Sequence, residues 1–167
     1  MIKLNRLHEV NKKLDIVPSN CIINGKQRKE IRVELTIGKK AVVIGINPSI
    51  ACNDKSDTTL TKISRYLEAY GVGEIVMVNL FDTISTEQSG IDQNQNCNLQ
   101  QYEAYFLEAD LIVVTWGTEN KYLEEKQNAV SYLLQFEDKV YCIEDKKGNK
   151  PRHPSRMAYT DDLVKFF

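Results

Sequence analysis

Four short apolar runs punctuate this chain: Ala41-Val42-Val43-Ile44, Ile75-Val76-Met77-Val78, Leu111-Ile112-Val113-Val114 and Val140-Tyr141-Cys142-Ile143. None of them alternates with polar residues. Successive side chains of a strand point to opposite faces, so a strand apolar at every position is covered on both. Stretches of helical period lie between the runs. Residues 58–70 carry Leu60, Ile63, Leu67 and Tyr70 on one face, with Asp57 or Thr58 to cap the start and Gly71 to close the end. Leu99, Tyr102, Phe106 and Ala109 mark a second helical face. Leu123, Val130, Leu133 and Leu134 mark a third. Strands alternating with helices predict right-handed crossovers and a parallel sheet.

Ahead of these units, Ile31, Val33, Leu35 and Ile37 alternate with Arg32, Glu34 and Thr36. Period two means a strand with one wet face. Asn24-Gly25 signals a turn before it, and Gly38-Lys39-Lys40 turns the chain after it. The expected architecture is α/β: a three-layer α/β/α sandwich around a central, mainly parallel four-stranded sheet, with an added antiparallel N-terminal strand. Residues 1–19 read as a short amphipathic helix and 83–97 as a polar loop. Thr160 is placed to cap a short last helix carrying Leu163 and Phe166. There are no repeats and no low-complexity linkers, so residues 1–167 are expected to form a single domain.

Composition narrows the class. A chain of 167 residues that is 42% hydrophobic can bury a substantial core. Its net charge of −1 is not that of a general nucleic-acid binder, though it allows one local basic patch. No apolar segment approaches the length of a signal or membrane-spanning segment, so a cytoplasmic location without membrane partners is expected. Cys21, Cys52, Cys97 and Cys142 stand far apart and form no Cys-x-x-Cys pair. With only two histidines beside them, reduced thiols are expected and neither metal nor other cofactor is called for. Cys52, in a polar stretch, is the one candidate for a reactive thiol.

The unusual polar strings follow the apolar runs. Gly45-Ile46-Asn47-Pro48-Ser49 ends the first, Asn79 ends the second, and Thr115-Trp116-Gly117 follows the third. Pro151-Arg152-His153-Pro154-Ser155-Arg156 follows the fourth after a basic excursion. Parallel strands put their carboxyl ends on one edge, where open α/β sheets bind ligands. Pro48 fixes an extended Asn47, whose amide can either satisfy loop backbone groups or orient a water or ligand. Asn79 carries the same two readings. His153 lies in the densest basic stretch, with Lys146, Lys147, Lys150, Arg152 and Arg156. It is either a surface histidine on a solvated loop or, kept neutral by positive neighbours, a hydrogen-bond donor to a developing anion. Trp116 is core or an aromatic edge to the site. Ser49 and Ser155 lack a nucleophile-elbow setting, and no phosphate-binding glycine loop is present.

The strings Gly45 to Ser49, Asp57-Thr58-Thr59, Val78-Asn79-Leu80-Phe81, Trp116-Gly117 and Pro151 to Pro154 together resemble the domain of unknown function 1643 family across residues 30 to 157. More distantly, the chain resembles the uracil-DNA glycosylase superfamily. Gly45 to Pro48 match that superfamily's Gly-Ile-Asn-Pro-Gly motif, with Ser49 departing. His153-Pro154-Ser155 resembles its His-Pro-Ser-Pro motif, with Arg156 in the last place. The resemblance implies that Asn47 positions the attacking water, Asn79 reads a base and His153 stabilises the departing base anion. It leaves Met157 as the side chain able to press between bases, since Arg156 is polar.

Two functions are therefore in view. One is cleavage of an N-glycosidic bond in a nucleotide or nucleic acid. Asn47 and His153 would be catalytic, Gly45, Pro48, Ser49, Asp57, Asn79, Trp116, Ser155 and Arg156 would line the site, and Lys147, Lys150 and Arg152 would contact phosphate. The other is a non-catalytic nucleotide or nucleic-acid binding module that kept the pocket.

Overall fold

The computed structural model describes residues 18, 20–24, 27–48, 51, 56–82 and 98–167. Among them the strands are β1 (Asn20–Asn24), β2 (Gln27–Glu34), β3 (Lys39–Gly45), β4 (Val72–Asn79), β5 (Leu111–Val114), β6 (Val140–Glu144) and β7 (Asp162–Lys165). The α-helices are α1 (Thr58–Glu68), α2 (Glu103–Glu108) and α3 (Leu123–Leu133). Short 3₁₀ turns cover Leu99–Tyr102, Leu134–Lys139 and Pro154–Arg156. One sheet takes all seven strands, in the order β1-β2-β4-β3-β5-β6-β7.

The four unalternating apolar runs are its centre. β4, β3, β5 and β6 pair in parallel, in register Ala41↔Ile75, Ala41↔Leu111 and Ile112↔Val140. Antiparallel strands extend both edges: β2 on β4 with β1 outside it, and β7 on β6. The sheet therefore has two strands more than the sequence pattern suggested. β1 carries exposed Ile22 and Ile23 and shows no buried stripe to read. The last segment is a strand and not a helix. Leu163 and Phe166 fit helical spacing, but the main chain of 162–165 pairs with β6. The helix expected over residues 1–19, residue 18 apart, and the polar loop expected over 83–97 lie outside the described residues.

Two cores flank the sheet. Val42, Ile44, Val76, Val78, Ile112, Val114 and Val140 face Leu99, Tyr102, Phe106, Ala129, Leu133 and Phe136 of the α2–α3 layer. Val43, Ile75, Met77, Val113 and Ile143 face Leu60, Ile63, Tyr66 and Leu67 of α1, together with Met157 and Leu163. Helix α1 forms as its pattern predicts. Asp57 Oδ1 accepts from the Leu60 amide at 2.7 Å, and Gly71 turns the chain at φ +80°, a left-handed conformation that suits glycine. Helix α3 presents the expected face only in part. Leu133 is buried and Val130 packs against the core as expected, but Leu123 and Leu134 are exposed, and Lys126 and Ala129 are buried.

The connections part around β3. The chain leaves β3 through α1 on one face to reach β4, then returns through α2 on the other face to reach β5, on β3's opposite side. The carboxyl ends of β3 and β5 thus border a topological switch point, the crevice where such sheets hold ligands.

Candidate functional site

All four parallel strands deliver their polar residues to one edge. Along it run Asn79 (end of β4), Asn47 (just past β3), Thr115-Trp116-Gly117 (past β5) and Arg152-His153 (past β6). Neighbouring strands lie about 4.8 Å apart, so two positions along the sheet bring the β3 and β6 ends to about 10 Å. The ends are clasped together. Leu80 and Phe81 amides donate to Gly45 and Ile46 carbonyls at 3.0 and 2.8 Å, and the Arg152 amide donates to the Ile143 carbonyl at 2.8 Å. The Ile44 carbonyl accepts from both the Thr115 amide and its hydroxyl, each at 2.9 Å.

Asn79 is the most informative of these residues. Its side chain is fully buried (0% exposed), and neither Nδ2 nor Oδ1 has a hydrogen-bond partner among the described residues. Strand alternation turns it toward the α1 face, beside Met77. Its paired residue across the strands is Gly45. A Cβ at Gly45 would meet Asn79 Oδ1 at 2.6 Å and Met77 Cε at 3.0 Å. Gly45 is therefore what gives the amide its room.

Asn47 behaves differently. It is half-buried, and its Nδ2 donates to the Pro48 carbonyl at 3.3 Å, within its own turn. Pro48 is buried beneath it, while Ser49, Cys52 and Cys97 lie outside the described residues. Asp57 is engaged as the α1 cap, as the simplest reading of its position implied.

His153 caps the turn Pro154–Arg156. Its Nδ1 accepts from the Ser155 amide at 3.2 Å and lies 2.7 Å from Ser155 Oγ. A backbone N–H can only donate, so Nδ1 is the acceptor and the neutral ring carries its proton on Nε2. Burial holds the imidazole below the ordinary histidine range, and the Arg156 charge pushes the same way, against Glu119 and Asp57. The Asp57 charge, far away in sequence, thus bears on His153.

A cavity of about 150 Å³ opens beside the ring, lined by Trp116, Gly117, Thr118, Glu119, Arg152, Ser155 and Arg156 with His153. Trp116 serves both roles offered for it. It is buried in the core edge-on to Phe166 and also walls this cavity. Arg156 pairs with Glu119 at 2.9 Å, and Arg152 lies 3.6 Å from Asp145. Lys147 and Lys150 do not line the cavity. Lys147 belongs to a turn whose amides bond Asp145, and Lys150 Nζ reaches the Lys165 carbonyl. Met157 is 3% exposed and packs into the α1-side core, so it is not presented as a wedge between bases.

Residues 31–155 match the family described as protein of unknown function (DUF1643). The chain belongs to that family. The matched span runs from within β2 to Ser155, in the turn that His153 caps. No curated protein and no solved structure matches the chain. Among the described residues of this DUF1643 protein, no three His, Cys, Asp or Glu side chains group as metal ligands, and no helix is long and apolar enough to cross a membrane.

Glu119 and Lys126 contribute to the site without any signal in the sequence pattern. Lys126 is buried on α3, and its Nζ donates to the Glu119 carbonyl at 2.7 Å. Burial lowers its pKa, opposed by Glu119. It fixes the 117–122 loop, which turns through left-handed Gly117 and Tyr122. A lysine at a core position of a helix reads as surface until the tertiary structure is seen.

Proposed function

We propose that the carboxyl edge recognises a nucleobase, and that the protein hydrolyses an N-glycosidic bond of a nucleotide or nucleic acid. The Asn79 amide carries this reading. A buried amide with both its donor and its acceptor unbonded costs about 1–3 kcal/mol per unsatisfied group. A planar base edge presenting one acceptor beside one donor satisfies both at once. The Gly-Ile-Asn-Pro and His-Pro-Ser strings, similar to those of the uracil-DNA glycosylase superfamily, supply the chemistry. Asn47 would orient water toward the anomeric carbon. The glycosidic bond would break with its electron pair passing to the base nitrogen. The His153 Nε2–H would hydrogen-bond the resulting base anion, and the water proton would pass to solvent.

A second reading, binding without turnover, is favoured by the Asn47 contact to Pro48 and by the carboxylates. Asp57 is occupied as a helix cap and Glu119 as an ion-pair partner, so neither stands ready to take a proton from water. One assay separates the readings. Purified protein is incubated with nucleosides, nucleotides and DNA carrying uracil, mismatched or damaged bases, and released base is measured by chromatography alongside thermal-shift profiles. Base release lost in Asn79→Ala supports hydrolysis. A thermal shift without release, equally lost in Asn79→Ala, supports binding. Neither signal on any substrate overturns nucleobase recognition.

A further inference from the structure

Resting on that nucleobase reading, we infer that the cavity beside His153 seats a single phosphoryl group, and that the substrate class is a mononucleotide and not duplex DNA. Size is the first ground. About 150 Å³ holds a tetrahedral oxyanion with a few waters, and it falls short of the ~300 Å³ at which pockets begin to enclose a larger ligand. The sugar and base would lie outside it, over the β5, β3 and β4 ends, with the base between the His153 Nε2–H and the Asn79 amide. Those ends span two strand spacings, about 10 Å.

Chemistry is the second ground. Arg152 Nε is buried without a hydrogen-bond partner among the described residues, while Arg152 Nη2 is already spent on the Arg156 carbonyl at 2.6 Å. Arg156 belongs to the same lining and holds Glu119 through an exposed contact at 2.9 Å. Such a pair is weak in water, and a planar guanidinium binds a phosphate in a fork of two hydrogen bonds. Arg156 therefore has a resting partner that a phosphoryl group can displace. The Ser155 hydroxyl completes the wall, and the His153 ring borders the cavity with its Nε2–H left for the base.

The third ground concerns what a duplex needs. Phosphate contacts to DNA come from cations spread over a surface. Here the two arginines are paired with Asp145 and Glu119, Lys150 Nζ is turned to the Lys165 carbonyl, and Met157 is core. The net charge of −1 adds no attraction to a polyanion.

Isothermal titration calorimetry tests this with the common nucleosides, their 5′-monophosphates, inorganic phosphate, and single- and double-stranded oligonucleotides. The preferred monophosphate is expected to bind at least tenfold tighter than its nucleoside. Arg156→Gln should erase that difference, and Glu119→Gln should widen it by releasing the arginine. Thermal melting of both variants checks that each is folded. Equal affinity for nucleoside and monophosphate, or a difference that survives in Arg156→Gln, overturns the phosphoryl seat. A duplex that binds tighter than every mononucleotide overturns the substrate class. In both cases an Asn79-dependent affinity would leave the nucleobase reading standing. Inorganic phosphate bound with no nucleoside affinity would overturn the nucleobase reading and keep the seat.

Discussion

At the β3–β4 half of the carboxyl edge the key polar group is neutral, fully buried and unbonded. At the β5–β6 half the polar groups are mostly charged and partly exposed, and each arginine has a carboxylate beside it. The two halves lie on one edge of one sheet, so the contrast is not a matter of distance from the core. A neutral amide can be left unsatisfied at a cost of about 1–3 kcal/mol per group, which a fold of ordinary stability tolerates. A buried unpaired charge costs several times more. A waiting site can therefore keep an amide bare, whereas the more buried Arg152 rests beside Asp145 and the exposed Arg156 holds Glu119 only weakly.

The sharpest way to break this comparison is Asn79→Ala. Loss of two buried hydrogen bonds to a ligand, each worth about 1 kcal/mol, predicts at least a roughly tenfold loss of affinity. The free protein should melt at the same or a higher temperature, because a bare polar group has been removed. A lower melting temperature would mean that the amide is structural. Gly45→Ala comes next. Its Cβ collides with the Asn79 amide, and overpacking of that kind costs about 1–3 kcal/mol. In the Asn79→Ala background most of that cost should vanish, a coupling that denaturant titration of the four variants measures.

His153 sharpens the other half. Its folded-state pKa lies below the ordinary value of about 6.5, so the unfolded chain takes up the proton first. Stability is then full above about pH 6.5 and falls as pH drops through that value toward the folded pKa. His153→Gln should flatten that part of a stability–pH profile. The smallest effect belongs to Glu119→Gln, whose half-exposed pair predicts a change within about 1 kcal/mol by thermal denaturation.

Much of the fold was legible because burial on both faces leaves a mark that composition cannot imitate. The runs at 41–44, 75–78, 111–114 and 140–143 all lie in the parallel strands. The alternating stretch lies in β2, which ends at Glu34, short of Ile37. What failed were elements whose identity depends on a partner. β7 is a strand because β6 offers it hydrogen bonds, and residues 162–165 by themselves fit either period. Lys126 enters the core because a carbonyl waits there for its ammonium group, which no periodicity encodes. For the site, strand-end position placed Asn47, Asn79, Trp116 and His153 on one edge before any coordinates. It did not distinguish an amide that ties its own turn from one that bonds to nothing. Nor did it show that the basic stretch would fold its arginines onto acids while leaving Lys147 and Lys150 outside.

The segment that carries His153 is pinned at both ends. The Arg152 amide is tied to β6, Met157 is sunk in the core, and the Tyr66 hydroxyl donates to the Asp161 carbonyl at 2.9 Å, 3.2 Å from its neighbour Tyr70. Such a segment has no hinge to swing. Ligand capture there needs side-chain exchange alone, on the nanosecond scale typical of rotamer changes. Association rates would then rise in proportion to ligand concentration without levelling off, and the residence time, set by how often Glu119 recaptures Arg156, would govern how long a ligand stays.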